Sequence, residues 1–289
     1  MTGLIETIFR KKPPTPLYHY TSHQGLYGII KRRCFWLTQV GFLNDSSEIH
    51  HAIGLMKSKI IETLSTETSP DKRTFLEHLL EILNSLNVTN FNVFVFSFSS
   101  NGNLLSQWRG YCHEGGYSIG FDYLDLEKLL TAGSPYEIPC EVELGECLYK
   151  EEQHHNIISE ILAKVLLKYQ ENINIVKDVY VDVVGDHFLL PLLKLAPFMK
   201  NHHFEEEHEW RLVVTINHKD KIQFREGSKC ILPYYELPLL KGTDALTIKE
   251  IIIGPNLDQQ RVKFGLERFL ECEKVICEKI SWSGIPFRG

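Results

Sequence analysis

The sequence lacks an excess of positive charge. Its 31 Lys and Arg face 37 Asp and Glu, a formal net charge of −6. Nucleic-acid binders announce themselves by a basic face, and here only Lys11-Lys12 and Lys31-Arg32-Arg33 form short basic runs. They read as solvated loop and helix-end charge, which leaves nucleic acid only as a transient partner. The chain has no long apolar run either. A membrane-spanning helix needs about 18 or more such residues, so no membrane association is predicted. The opening Met1-Thr2-Gly3-Leu4-Ile5 lacks the charged start and apolar stretch of a secretory signal. Together these features predict a cytoplasmic location. Cysteines number seven, an odd count, and none are spaced CxxC. That argues against a disulfide framework or a zinc ribbon and for reduced thiols. GxxxxGK[ST], GxGxxG and HExxH are all missing, so no phosphate loop, dinucleotide fingerprint or zincin helix is present. His202, His203 and His208 lie among carboxylates without metal-ligand spacing, and no metal is predicted.

What is present is ordinary globular composition, 43% hydrophobic and 24% charged. Residues 1–16 read as an extended leader because Pro13, Pro14 and Pro16 enforce extended chain. Leu17–Thr21 reads as a strand and Ser22 as the cap of a helix bearing Leu26, Ile29 and Ile30 on one stripe. A short strand at 35–38, helices at 47–64 and 71–86, and a strand at 92–99 follow. In the last, Phe94, Phe96 and Phe98 share a face opposite Val93, Val95, Ser97 and Ser99, which suits a strand covered on both sides. A helical turn at 104–111, a strand at 117–122, a helix capped by Asp125 and a strand near 140–149 come next. Residues 151–200 read as a helical insertion. Strands at 210–216, 248–253 and 274–280 and a helix at 258–271 complete the pattern. Strands pair as often as they alternate with helices. The expected fold is α+β, one domain over 17–289, with a mixed, mostly antiparallel sheet, flanking helices and the helical insertion.

Four groups of polar residues could carry chemistry. His19 sits between Tyr18 and Tyr20, with Thr21 beyond. It reads either as a donor to a sugar hydroxyl or as a core histidine bonded to a backbone carbonyl. Asn44 and Asp45, with Glu48, read as a binding turn or as a helix cap. Trp108, Arg109 and Tyr111, followed by Gly115-Gly116, suit a planar anionic ligand or a surface turn. In Glu205–Arg211, strand alternation puts Trp210, Leu212, Val214 and Ile216 on one face and Glu209 beside Arg211 on the other. That pair is either a salt bridge or a catalytic carboxylate, stabiliser or base, with an arginine to hold it ionised or grip a phosphate.

Taken in order, these groups resemble a large bacterial family of uncharacterised proteins. The shared motifs are Tyr18-His19-Tyr20-Thr21, Phe42-Leu43-Asn44-Asp45 through Glu48, Ser97-Phe98-Ser99 with Trp108 to Tyr111, and Gly116–Asp122. Glu207-His208-Glu209-Trp210-Arg211 and Ile251–Gly254 complete the set. The resemblance spans about residues 17–255 and departs at the turn, where Leu43 intervenes and Ser46 replaces a common proline. The order of elements is also similar to the ADP-ribosyltransferase fold. By position, that resemblance implies that His19 contacts the ribose of NAD, that Phe35 or Trp36 (or Tyr20) stacks on nicotinamide, and that Glu209 is catalytic. Arg109 or Arg211 would hold the pyrophosphate. NAD would then be a substrate, the acceptor a protein or nucleic acid, and the setting a toxin or anti-phage system. The rival readings are a metal-dependent hydrolase or nuclease using Glu209, Arg211 and Asp45, and a non-catalytic nucleotide-sensing or partner-binding module built around Trp108 and Arg109.

Overall fold

In the computed structural model, the residues described are all except 1–4, 6–7, 10, 44–46, 113–114, 132–139, 172–183, 217–220, 228–229, 240–245, 257 and 287–289. The strands are β1 (Leu17–Thr21), β2 (Cys34–Gln39), β3 (Val93–Ser99), β4 (Tyr117–Phe121), β5 (Cys140–Glu146), β6 (Glu209–Ile216), β7 (Gln223–Glu226), β8 (Ile231–Pro238), β9 (Thr247–Ile253) and β10 (Ile276–Trp282). The main helices are α1 (His23–Arg32), α2 (Ser47–Thr66), α3 (Pro70–Ser85), α4 (Leu105–Tyr111), α5 (Tyr123–Thr131), α6 (Glu151–Glu171), α7 (Leu190–Leu195) and α8 (Gln259–Cys272). The fold is α+β with a mixed, mostly antiparallel sheet, as expected; among the described strands only β9 and β10 run parallel.

The sheet branches at β3. Strand β6 pairs along the whole of one edge, from Val93↔Thr215 to Ser99↔Glu209, and β5 pairs with β6 beyond it. The other edge is shared. Strand β2 meets β3 at Thr38↔Val95 and Gln39↔Phe94, whereas β1 meets it at Tyr18↔Ser99. One arm continues from β1 through β4 and β9 to β10, the other from β2 through β8 to β7. The sheet is therefore open alongside the C-terminal half of β3.

Helices cover both faces. On one, α2, α3, α6 and α7 pack a core that includes Val93, Val95 and Val213. On the other, Leu26, Ile29 and Ile30 of α1, Leu126 of α5 and Leu266 and Leu270 of α8 pack against Phe94, Phe96, Phe98, Trp210 and Leu212. The alternation expected for β3 and β6 is what divides these cores. Ser22 caps α1, accepting from the Gly25 amide at 3.2 Å.

Three details differ from the sequence reading, and the place of the helical insertion is added to it. Ile8 is buried in the first core and Phe9 packs edge-on against Phe198, so this part of the leader is packed rather than extended. Apolar spacing outweighs the downstream prolines there. Asp122, not Asp125, caps α5, accepting from the Leu124 amide at 2.8 Å, while Asp125 pairs with Lys128 inside the helix. The 151–200 region shares its core with α2 and α3, and residues 172–183 within it lie outside the described residues. The β7–β8 hairpin was not expected, because Pro233 and Pro238 demote a strand that sits near a sheet edge.

Phe35 is fully buried. Its ring lies 4.3 Å from Phe96 and 4.9 Å from Phe121. It belongs to the core and not to a ligand surface, which corrects its candidacy as a stacking residue. Phe35→Ala is expected to cost about 3–5 kcal/mol, read from chemical denaturation midpoints. A cost below about 1 kcal/mol would contradict this packing.

Candidate functional site

The branch in the sheet holds a cavity of about 700 Å³, within the range of small-molecule sites. Both arms and the stem line it: His19, Tyr20 and Thr21 from β1, Trp36 and Thr38 from β2, Val95 to Ser97 from β3, and Glu209 and Arg211 from β6. Register explains why this convergence is unusual. Tyr18 opposes Ser99, and Ser99 opposes Glu209, so Glu209 and Arg211 share a face with Tyr18 and Tyr20. His19 belongs to the opposite face. The two meet at one cavity because the sheet is open between β1 and β2.

His19 spans part of that opening. Its Nδ1 lies 2.9 Å from the Ser97 carbonyl oxygen, and its ring stacks on Phe96 at 4.1 Å. A carbonyl can only accept, so Nδ1 carries the proton. Burial, with a smaller contribution from Arg225, lowers the imidazole to about 4 despite the Ser97 bond. At neutral pH the ring is uncharged and Nε2 is left as an acceptor. The donor role expected toward a sugar hydroxyl does not suit this neutral ring, whose Nε2 can only accept.

Opposite lies a buried ionic network. Arg211 Nε donates to Glu209 Oε1 at 2.8 Å and Nη2 to Glu209 Oε2 at 3.1 Å. Nη2 also reaches Glu48 Oε1 at 2.9 Å, and Nη1 binds Glu48 Oε2 and the Pro197 carbonyl. All five guanidinium donors are thus engaged. Lys200 adds ion pairs to Glu209 and Glu207. Burial opposes ionisation of Glu209, but Arg211 and Lys200 outweigh it and hold the carboxyl at about 2. Glu209 is therefore a fixed anion at neutral pH, able to stabilise positive charge and unsuited to hold a proton as a general base. Arg211, saturated, cannot also grip a phosphate, which corrects that candidacy.

The remaining expected site residues divide. Trp36 and Thr21 line the cavity, and Tyr111 stands exposed at its mouth. Tyr20 lines it too, but its hydroxyl is engaged, donating to the Asn101 carbonyl and accepting from the Leu104 amide, each at 2.8 Å. Tyr18 turns away and donates to Glu250 at 2.8 Å. Trp108 is buried outside the cavity, edge-on to Tyr20, with Nε1 donating to Asn103 at 2.8 Å. Arg109 is exposed and is not part of the lining. The Trp108–Arg109 pair is thus a packing anchor beside a surface arginine, not an anion clamp. Asn44 and Asp45 lie outside the described residues. Sequence reasoning missed Lys200, which no motif marks, and Arg225, which lies on the unexpected hairpin. Among the described residues, no group of three His, Cys, Asp or Glu side chains could hold a metal ion, and no helix is long and apolar enough to cross a membrane.

Removing Arg211 leaves Glu48 buried without its ion-pair partner and Glu209 with Lys200 alone. Arg211→Leu is expected to cost about 3–5 kcal/mol, and Glu48→Gln in the same chain should recover part of that loss in denaturation experiments. Acid sensitivity follows from the two shifted groups. His19 takes up its proton near 6.5 when unfolded and near 4 when folded, so stability falls as pH drops through that window. Glu209, depressed from 4.5 to about 2, contributes stability above 4.5 that is lost as pH falls toward 2. Denaturation midpoints measured from pH 8 to 3 should show the upper limb flattened by His19→Gln and the lower limb by Glu209→Gln.

Comparison with known proteins gives one family-level similarity. Residues 107–212, from α4 to the middle of β6, match a family described as "Protein of unknown function (DUF2971)". The match includes Lys200, Glu209 and Arg211 and leaves out His19, Glu48 and Arg225. No curated protein and no solved structure matches the chain. The chain is thus similar, over this central part, to a family described as of unknown function.

Proposed function

We propose that this protein binds NAD or a related nucleotide in the branched-sheet cavity and breaks its base–ribose glycosidic bond, passing the ADP-ribosyl group to water or to a protein or nucleic-acid acceptor. The observation that carries this reading is the meeting of a permanently ionised Glu209 with a neutral, acceptor-bearing His19 at one cavity. The chemistry needs both. As the bond from the ribose anomeric carbon to the nicotinamide nitrogen lengthens, its electron pair leaves with nicotinamide and positive charge develops on the ribose. A nearby carboxylate stabilises that charge. A ribose hydroxyl donating to His19 Nε2 fixes the sugar, and Trp36 offers an aromatic surface to the base. The acceptor bonds to the anomeric carbon and releases its proton to solvent, since Glu209 is too acidic to keep it.

The same ion pairs favour a second reading. Glu209 is balanced by two cations, as suits a module that binds a nucleotide without turning it over. In either case a cytoplasmic setting, as a toxin or antiviral effector or as a sensor, belongs to the proposal.

Nicotinamide release from NAD separates the two. With wild type, alone or with cell lysate as acceptor source, release is expected. Glu209→Gln and His19→Ala should each lower it about 100-fold or more while the protein remains folded by circular dichroism. Binding of NAD without release from wild type would sink the catalytic reading and leave the module.

A further inference from the structure

Among the described residues lining the cavity, Arg225 is the one Lys or Arg that the ionic network does not use. It projects from β7 into the cavity, on the arm formed by β2, β8 and β7. Its guanidinium carbon lies 5.8 Å from the centre of the Trp36 ring and 5.6 Å from that of Tyr234. Nη2 donates to Thr38 Oγ1 at 2.7 Å, and the buried Nε has no partner. Among the described residues no carboxylate pairs with it. A guanidinium held against two adjoining aromatic rings, half-buried, with a donor unspent, is a costly arrangement without an anion to meet it.

The rest of the cavity sharpens this. Among the described residues, Glu48, Glu207 and Glu209 pair with Lys200 and Arg211 alone, so the network end carries carboxylate in excess. The Arg225 end is cationic. The cavity is polarised, and a matching ligand must be anionic at one end and cationic or hydroxyl-bearing at the other. Arginine suits phosphate in particular, because its planar donors bind two oxygens at once.

We infer that Arg225, seated against Trp36 and Tyr234, binds the phosphate or pyrophosphate of the cavity's ligand and selects phosphorylated nucleotides over nucleosides. This deepens the nucleotide reading above and rests on the same cavity, but it assigns the anion to β7 and not to Arg109 or Arg211. Trp36 would then serve two contacts, stacking on the guanidinium and bordering the ligand.

The test is equilibrium binding by titration calorimetry at pH 7, without divalent metal, using inorganic pyrophosphate, ADP-ribose and adenosine as probes. Wild type, Arg225→Gln and Arg225→Lys are compared, each checked for an unchanged thermal transition. Arg225→Gln should weaken pyrophosphate and ADP-ribose about 10- to 100-fold. Arg225→Lys should restore part of that loss, and adenosine should bind all three alike. ADP-ribose binding more tightly than pyrophosphate would identify the nucleotide as the source of the anion. Wild-type protein that ignores pyrophosphate and ADP-ribose would overturn the inference, as would Arg225→Gln binding them undiminished or losing adenosine equally. Binding through Arg225 without nicotinamide release would uphold it and sink only the catalytic proposal.

Discussion

Strand β3 has two hydrogen-bonding edges and three neighbours. Because β6 fills one edge along all seven residues, β1 and β2 must divide the other. Two strands entering one edge from different arms cannot both run its length, so they splay. A backbone carbonyl, that of Ser97, then lies where no strand reaches it, and leaving it buried and unpaired would be costly. His19 meets it through Nδ1. The opening, the cavity in it and the tautomer of its histidine thus have one origin.

Placing Glu209 and Arg211 at the wall of that opening commits the site to a network. A lone arginine or carboxylate at this depth would be unaffordable, and one pair is scarcely better. The chain uses Glu209, Glu48 from α2 and the Pro197 carbonyl to engage every donor of Arg211, and Lys200 from the segment ahead of β6 as a second cation for Glu209. Full engagement fixes geometry and has a chemical consequence. It removes Arg211 as a ligand-binding group and Glu209 as a proton acceptor, leaving Glu209 as a source of fixed negative potential. Pre-set potentials of that kind act on charge as it develops without reorganising.

The regular parts of this fold were legible because their signals are local. Alternation of Phe94, Phe96 and Phe98 against Val93 and Val95 identified a strand between two cores, and alternation in 209–216 placed Glu209 beside Arg211 on the correct face. The Trp108–Arg109 motif misled because residues adjacent on a helix point about 100° apart. One is buried and the other exposed. Arg225 left no trace, lying on a short edge strand whose partner strand contains prolines. The meeting of His19 with Glu209 was hidden for a different reason. A two-residue period assigns each side chain to a face, and these two belong to opposite faces. Only a break in the sheet brings them together, and a break arises from how three strands compete for one partner.

That origin also explains why the two ends of the cavity differ in charge. The stem strand β6 carries the network, and its cations are consumed in balancing its own acids. The β7 arm carries Arg225, with which no carboxylate pairs among the described residues. Since the arms are joined to the stem only through parts of β3, the cationic and anionic walls are held apart by the sheet itself rather than by loops. Opposite charges that would neutralise each other on a closed sheet stay separated across the opening. A ligand bridging them would satisfy Arg225 at one wall and meet the potential of Glu209 at the other. Its orientation would follow from the topology of the sheet.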